Sequence, residues 1–244
     1  MTALLELDAV SKAFGRVVVA DSVSVEVAAG ETVGVVGPNG AGKTSLLNLI
    51  CGHLEVDSGH IRLDGRDVSH DPAHVRARLG VGRTYQVPLP FGGMTVFENA
   101  LLGASYAGAH HDTGYDASAK AVAALDRTGL LALANRPAAA LPLLDRKRLE
   151  MARALATQPR LLLLDEIAGG LTEHEVGELV ETIRRLRAEG VTIIWIEHVV
   201  PALMAVVDRL VAMSRGRVLM DGEPSAVMAD PVVHTEYLGA EVVA

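Results

Sequence analysis

Aromatic residues are scarce, at 3% of 244 positions, and there is a single cysteine, Cys51. With few rings to bury, the interior must be built from Leu, Val, Ile and Ala. One cysteine excludes an internal disulfide and fits a reducing compartment. Cys51 follows an expected helix in an apolar context and reads as a small buried hydrophobe. There is no basic stripe, and the net charge is −8, so no nucleic-acid partner is expected. No window reaches the roughly 18 to 20 uninterrupted apolar residues of a membrane span. The opening MTALLELDAV lacks the basic start and the apolar length of a signal peptide. A cytoplasmic protein is expected, with any membrane contact made through a partner.

Half of the residues are apolar, enough for one large α/β domain or one domain with a small appended lobe. Apolar β-rich runs come first, at Leu4–Val10, Val23–Val27 and Thr32–Val36. The third is a continuous run ending in glycine, as a strand buried on both faces would be. A helix is expected over Lys43–Cys51, a strand near His60–Leu63, a helix near Ala73–Leu79 and a strand at Val81–Tyr85. Residues 87–140 change character, with a helix near Thr95–Leu102 and then a loose stretch, Gly103–Ser118. Alternation returns with helices at Asp145–Thr157, Glu173–Glu189 and Val199–Val206, and strands at Leu161–Asp165, Val191–Ile196 and Leu210–Met213. Strands separated by helices predict a mostly parallel sheet covered by helices, interrupted by a helical insertion.

The segment Gly37-Pro38-Asn39-Gly40-Ala41-Gly42-Lys43-Thr44 fits G-x-x-x-x-G-K-[ST] at every position. It lies between an expected strand and an expected helix, the context in which that pattern has a mechanism. Glycines let successive N–H groups turn inward on phosphate oxygens, and the following helix aims its positive end at the same anion. Lys43 would stand by the β- and γ-phosphates, Thr44 would ligate Mg²⁺ through its hydroxyl, and Ser45 would complete the nucleotide-binding loop. The cofactors expected are ATP and Mg²⁺.

Leu161–Asp165 is an apolar strand that delivers Asp165 and Glu166 to its C-terminal end, where ligands sit in an open α/β sheet. Asp165 is expected in the Mg²⁺ shell and Glu166 as the group that polarises the attacking water. His198 ends a third apolar strand, where its imidazole could orient that water.

Together these segments resemble the ABC ATPases along nearly the whole chain. The resemblance implies the ABC ATPase fold: a P-loop NTPase core, an antiparallel β subdomain and a helical subdomain insertion. It implies one domain over residues 1–244, with 1–86 and 158–244 as core and β subdomain and 87–157 as the helical subdomain. Leu161–Glu166 is similar to the Walker B strand with its catalytic glutamate, and His198 to the switch histidine. Gln86, in Gly82-Arg83-Thr84-Tyr85-Gln86, resembles the glutamine that reaches Mg²⁺ and links core to helical subdomain, and Phe14 the aromatic that stacks on adenine. The 82–86 segment, Met94–Asn99 and the tail Asp230–Gly239 resemble ATP-binding subunits of branched-chain amino-acid, urea and amide importers. The implied activity is ATP hydrolysis coupled to transport. The implied partners are transmembrane permease subunits, which place the chain on the inner membrane face, with a coupling surface around Pro88–Met94.

Two segments depart from the family pattern. Where the signature loop would read Leu-Ser-Gly-Gly-Gln, this chain has Leu141-Pro142-Leu143-Leu144-Asp145, although Met151-Ala152-Arg153-Ala154-Leu155 follows intact. After Glu166, the turn Ile167-Ala168-Gly169-Gly170-Leu171-Thr172 lacks the usual proline and the usual Asp or Asn. Pro142 has no N–H to give a phosphate, the leucines restrict close approach, and Asp145 adds a repelling charge. A heterodimer with a second ATPase subunit is therefore expected in preference to a homodimer.

Overall fold

The computed structural model describes residues 3–106 and 115–238. The elements run β1 (Ala3–Phe14), β2 (Val17–Ala28), β3 (Thr32–Val36), α1 (Lys43–Ile50), β4 (Ser58–Leu63), β5 (Arg66–Asp67), α2 (Ala73–Arg78), β6 (Val81–Arg83) and α3 (Val96–Ser105). They continue with α4 (Tyr115–Arg127), α5 (Leu143–Ala156), β7 (Leu161–Asp165), α6 (Glu173–Ala188), β8 (Thr192–Ile196), α7 (Val200–Met204), β9 (Arg209–Ser214), β10 (Arg217–Gly222), α8 (Pro224–Ala229) and α9 (Pro231–Leu238).

Six strands form the central sheet in the order β10-β9-β3-β8-β7-β6. Every pair in it is parallel except β9 with β10. β3, β7 and β8 are buried along their whole length, which is why they read as unbroken apolar runs. Their side chains alternate between two cores, as a period of two demands. Leu161, Leu163, Ile194 and Ile196 join the core shared with β1 and α1, whereas Leu162, Leu164, Ile193 and Trp195 face the core under α5, α6 and α7. This register brings the C-terminal ends of β3, β7 and β8 side by side, with Asp165 opposite Ile196 and Val35 opposite Ile196.

A second, antiparallel sheet has the order β2-β1-β4-β5. Its first two strands are longer than the sequence suggested, because Phe14 pairs with Val17 across a tight turn. Polar residues interrupt the apolar alternation at register shifts, and Ala9 and Ser22 take left-handed backbone there. β6 stops at Arg83, short of the expected Tyr85, and α7 is shorter than expected. Helices α3, α4 and α5 pack on one another. Thr95 caps α3 reciprocally with Glu98, so that helix begins one residue later than read and continues to Ser105. The loose stretch is accordingly helical at both ends, and residues 107–114 lie outside the described residues. Strand β10 and helices α8 and α9 were not anticipated. Among the described residues no helix is long and apolar enough to cross a membrane.

Candidate functional site

The loop between β3 and α1 depends on two glycines for its path. Gly42 has φ +100, and a Cβ there would lie 2.2 Å from the Val19 carbonyl oxygen. A Cβ on Gly37 would lie 2.2 Å from the carbonyl oxygen of Met213. The backbone thus curls between two neighbouring strands with no room for a side chain. Gly42 is also the residue before α1, and no side chain caps that helix. Lys43 is 5% exposed; its ammonium donates to the carbonyls of Gly37 (2.6 Å) and Pro38 (3.0 Å). Burial lowers its pKa below the ordinary lysine value, and the nearby carboxylates of Glu166 and Asp165 oppose that shift. Thr44 and Ser45 follow on the first turn of α1, and both line a cleft of about 300 Å³ with Asn39, Gly40, Val17, Val18 and Glu166.

Asp165 is buried where β7 ends. Its Oδ1 accepts from the Thr44 hydroxyl at 3.5 Å and its Oδ2 from Arg83 Nη2 at 3.0 Å. Desolvation raises its pKa, opposed by the Arg83 guanidinium and the Thr44 hydrogen bond. The Thr44 hydroxyl and the Asp165 carboxylate are hard oxygen donors beside the loop, the donor chemistry that Mg²⁺ prefers.

Glu166 leaves the strand in a left-handed conformation, with φ +47, while its N–H still donates to the Ile196 carbonyl at 2.8 Å. A non-glycine residue at such a φ stores of order 1–2 kcal/mol of backbone strain, and strain of this kind gathers at functional sites. The turn aims the carboxylate at two side chains named from the sequence. His198 Nε2 lies 2.6 Å from Oε1, and the Gln86 amide nitrogen donates to Oε2. Gln86 therefore meets Glu166, not the Thr44–Asp165 pair. Glu197, unremarked in the sequence, is 1% exposed and accepts from the N–H groups of Ala168 (2.8 Å) and His198 (3.0 Å). It fastens the turn after β7 to the end of β8. Lys147 of α5 is buried as well; burial lowers its pKa, and the charges of Glu197 and Glu166 counter that shift.

Phe14 is not brought into the cleft wall. Its ring is 51% exposed, with the Lys12 ammonium 5.5 Å from its centroid. The same hairpin gives the cleft Val17 and Val18 instead, at 63% and 48% exposed. Large apolar side chains left in solvent beside a loop were the available signal, and it needed the hairpin to be interpretable. Helix α5 starts after Pro142, with no side-chain cap and with Asp145 in its first turn. Leu141 and Leu144 are buried.

Residues 20–169 match the ABC transporter family. The chain belongs to that family. It is 35% identical to the high-affinity branched-chain amino acid transport ATP-binding protein BraF of Pseudomonas aeruginosa, over 97% of this chain and 98% of that one. It is 36% identical to the lipopolysaccharide export system ATP-binding protein LptB of Acidithiobacillus ferridurans, over 98% of both chains. It is also similar to a crystal structure of the ADP conformation of an ATP-binding cassette of an ABC transporter. That match has a TM-score of 0.90 and 29% identity, covering 98% of this chain and 100% of the other. The fold expected from the sequence is the fold of these cassettes, and the cleft over Gly37–Thr44 belongs to an ATP-binding ATPase.

Proposed function

We propose that this cassette is the ATP-hydrolysing motor subunit of an ABC importer for branched-chain amino acids or related small amides. The observation that carries the catalytic part is the pair of contacts at Glu166: its carboxylate, on a left-handed backbone at the end of β7, is held by His198 and Gln86 beside the phosphate loop. In this reading the loop N–H groups and the start of α1 bind the phosphates. Lys43 moves its ammonium from the carbonyls of Gly37 and Pro38 to phosphate oxygen. Val17 and Val18 give the nucleotide its apolar wall; Phe14, outside that wall and exposed on the same hairpin, is the ring that the family pattern would stack on adenine. Thr44 and Asp165 would hold Mg²⁺, which would supply positive charge to the phosphates, while Gln86 stays on the Glu166 carboxylate.

Glu166 acts as general base toward the water that attacks the γ-phosphorus in line. Each of its oxygens has one intramolecular partner and a lone pair left for that water. His198 fixes the carboxylate's direction, and Gln86 joins it to the segment that leads to α3.

The helical lobe spans residues 87–157, inserted between core segments 1–86 and 158–244. The permease surface is the neighbouring cleft of about 450 Å³, whose wall includes Tyr85, Phe91, Tyr106 and Arg153. Arg153 Nη1 donates to the Leu89 carbonyl at 3.1 Å, and its guanidinium lies 4.9 Å from the Phe91 ring centroid. Exposed Val87, Leu89 and Met94 extend that surface, which docks the chain on the inner face of the membrane.

The start of α5 supports an asymmetric dimer. Proline and two leucines replace the donors that would hold a partner's γ-phosphate, and Asp145 places a negative charge there. A second ATPase subunit with a complete signature loop would close the site on Gly37–Thr44. Purification of the tagged full chain from its native membranes tests the assembly. Transmembrane subunits together with a second cassette are expected; a homodimer without them would contradict the proposal.

A further inference from the structure

Arg83 is a buried cation that none of the roles above uses. It ends β6, its side chain is 7% exposed, and the Asp165 side chain it pairs with is 4% exposed. Withdrawing a guanidinium from water costs several kcal/mol unless its donors are satisfied. Here the fork is divided between two elements. Nη2 takes Asp165 Oδ2 at 3.0 Å, while Nη1 takes Asn48 Oδ1 at 2.5 Å and lies 3.2 Å from Cys51 Sγ. Cys51 is thus more than a small buried hydrophobe, because its sulfur meets Nη1 of this guanidinium, whose buried Nε has no hydrogen-bond partner among the described residues.

The division has a geometric consequence. Asn48 lies one helical turn along α1 from Thr44, so one planar group grips both the helix that carries Thr44 and the carboxylate of Asp165. With Oδ2 committed to Arg83, the Asp165 rotamer is set and Oδ1 is the oxygen turned to Thr44. We infer that Arg83 is a positioning residue for the metal: it presents Asp165 through Oδ1 alone and fixes the spacing between Asp165 and Thr44. The inference rests on the nucleotide-site reading above.

Outer-shell partners of metal ligands typically change metal affinity by about 10- to 100-fold when removed. The test uses the full chain, Mn²⁺ as the probe ion and a non-hydrolysable ATP analogue, read by electron paramagnetic resonance. Binding of the same analogue is measured in parallel without metal. Arg83→Gln is expected to weaken Mn²⁺ binding by about ten-fold or more, while metal-free analogue binding stays within about two-fold of the wild type. Arg83→Lys, which keeps the charge and loses the fork, is expected to fall between the two. Should Arg83→Gln fail to fold, Arg83→Lys alone carries the comparison. Wild-type Mn²⁺ affinity in a folded variant would overturn the inference, as would an equal loss of analogue binding with and without metal. A wild-type chain that binds no analogue would instead sink the nucleotide-site reading, and the inference that rests on it.

Discussion

The left-handed backbone at Glu166 makes a prediction whose sign is unusual. Glu166→Ala and Glu166→Gly both remove the carboxylate and its bonds to His198 and Gln86, so they differ only at the backbone. Elsewhere a glycine is less stable than an alanine by roughly 0.5–1 kcal/mol, because it loses more freedom on folding. At φ +47 the alanine instead bears about 1–2 kcal/mol of steric cost that glycine escapes. The difference favours Glu166→Gly by about 0.5–1 kcal/mol. In a chain of this size that corresponds to a melting temperature higher by roughly 1–4 °C. Urea titration and thermal melting of the two variants side by side measure it. A Glu166→Gly variant that melts at or below Glu166→Ala would refute the claim that the turn after β7 holds this residue under strain.

Other consequences follow from separate parts of the structure. Gly42→Ala bears about 1–2 kcal/mol from φ alone in addition to the collision with the Val19 carbonyl. Its nucleotide affinity, measured with a fluorescent ATP analogue, should fall more than about ten-fold. Thr172→Ala removes the reciprocal cap with Glu175 at the start of α6 and should lower the melting temperature at neutral pH. Bonds from the Thr172 N–H and hydroxyl depress the Glu175 pKa below 4.5. The carboxylate half of the cap is therefore present above that value, and the gap between variant and wild type should narrow as pH falls through the depressed value, while the part carried by the Glu175 N–H on the Thr172 hydroxyl persists. Glu150 has the opposite sign: burial raises its pKa above 4.5, opposed by Arg153. Its protonated form is the one favoured in the fold, so stability from this group is present below pH 4.5 and is lost as pH rises through the raised value. Glu150→Gln should thus gain melting temperature relative to the wild type between pH 4 and pH 7.

The parts of the site that the sequence disclosed are those encoded locally. Gly37–Thr44 is contiguous, and its chemistry depends on spacing that can be counted along the chain. Asp165, Glu166 and His198 were readable because each follows an unbroken apolar run, and runs buried on both faces must be neighbours in a parallel sheet. The mean boundaries of β3, β7 and α6 needed nothing else. Arg83 and Glu197 were hidden because their meaning lies in partners far along the chain: Asp165 and Asn48 for one, the turn at Ala168 for the other. Val17 and Val18 were hidden because the β1–β2 hairpin runs through polar residues and register shifts that break the period-two pattern. The strain at Glu166 was hidden too, since nothing in Asp-Glu-Ile distinguishes a left-handed residue. Gln86 was expected at Mg²⁺, whereas its contact in the fold is the carboxylate of Glu166.

Turnover of the full transport assembly with Glu166→Gln in this chain tests the central claim most directly. That substitution keeps side-chain size and backbone conformation while removing the proton acceptor. The account predicts that ATP binding is retained and that hydrolysis in the site closed on Gly37–Thr44 slows by about 10²- to 10⁴-fold. Hydrolysis at the wild-type rate would show that Glu166 is not the base and that the turnover belongs to another subunit.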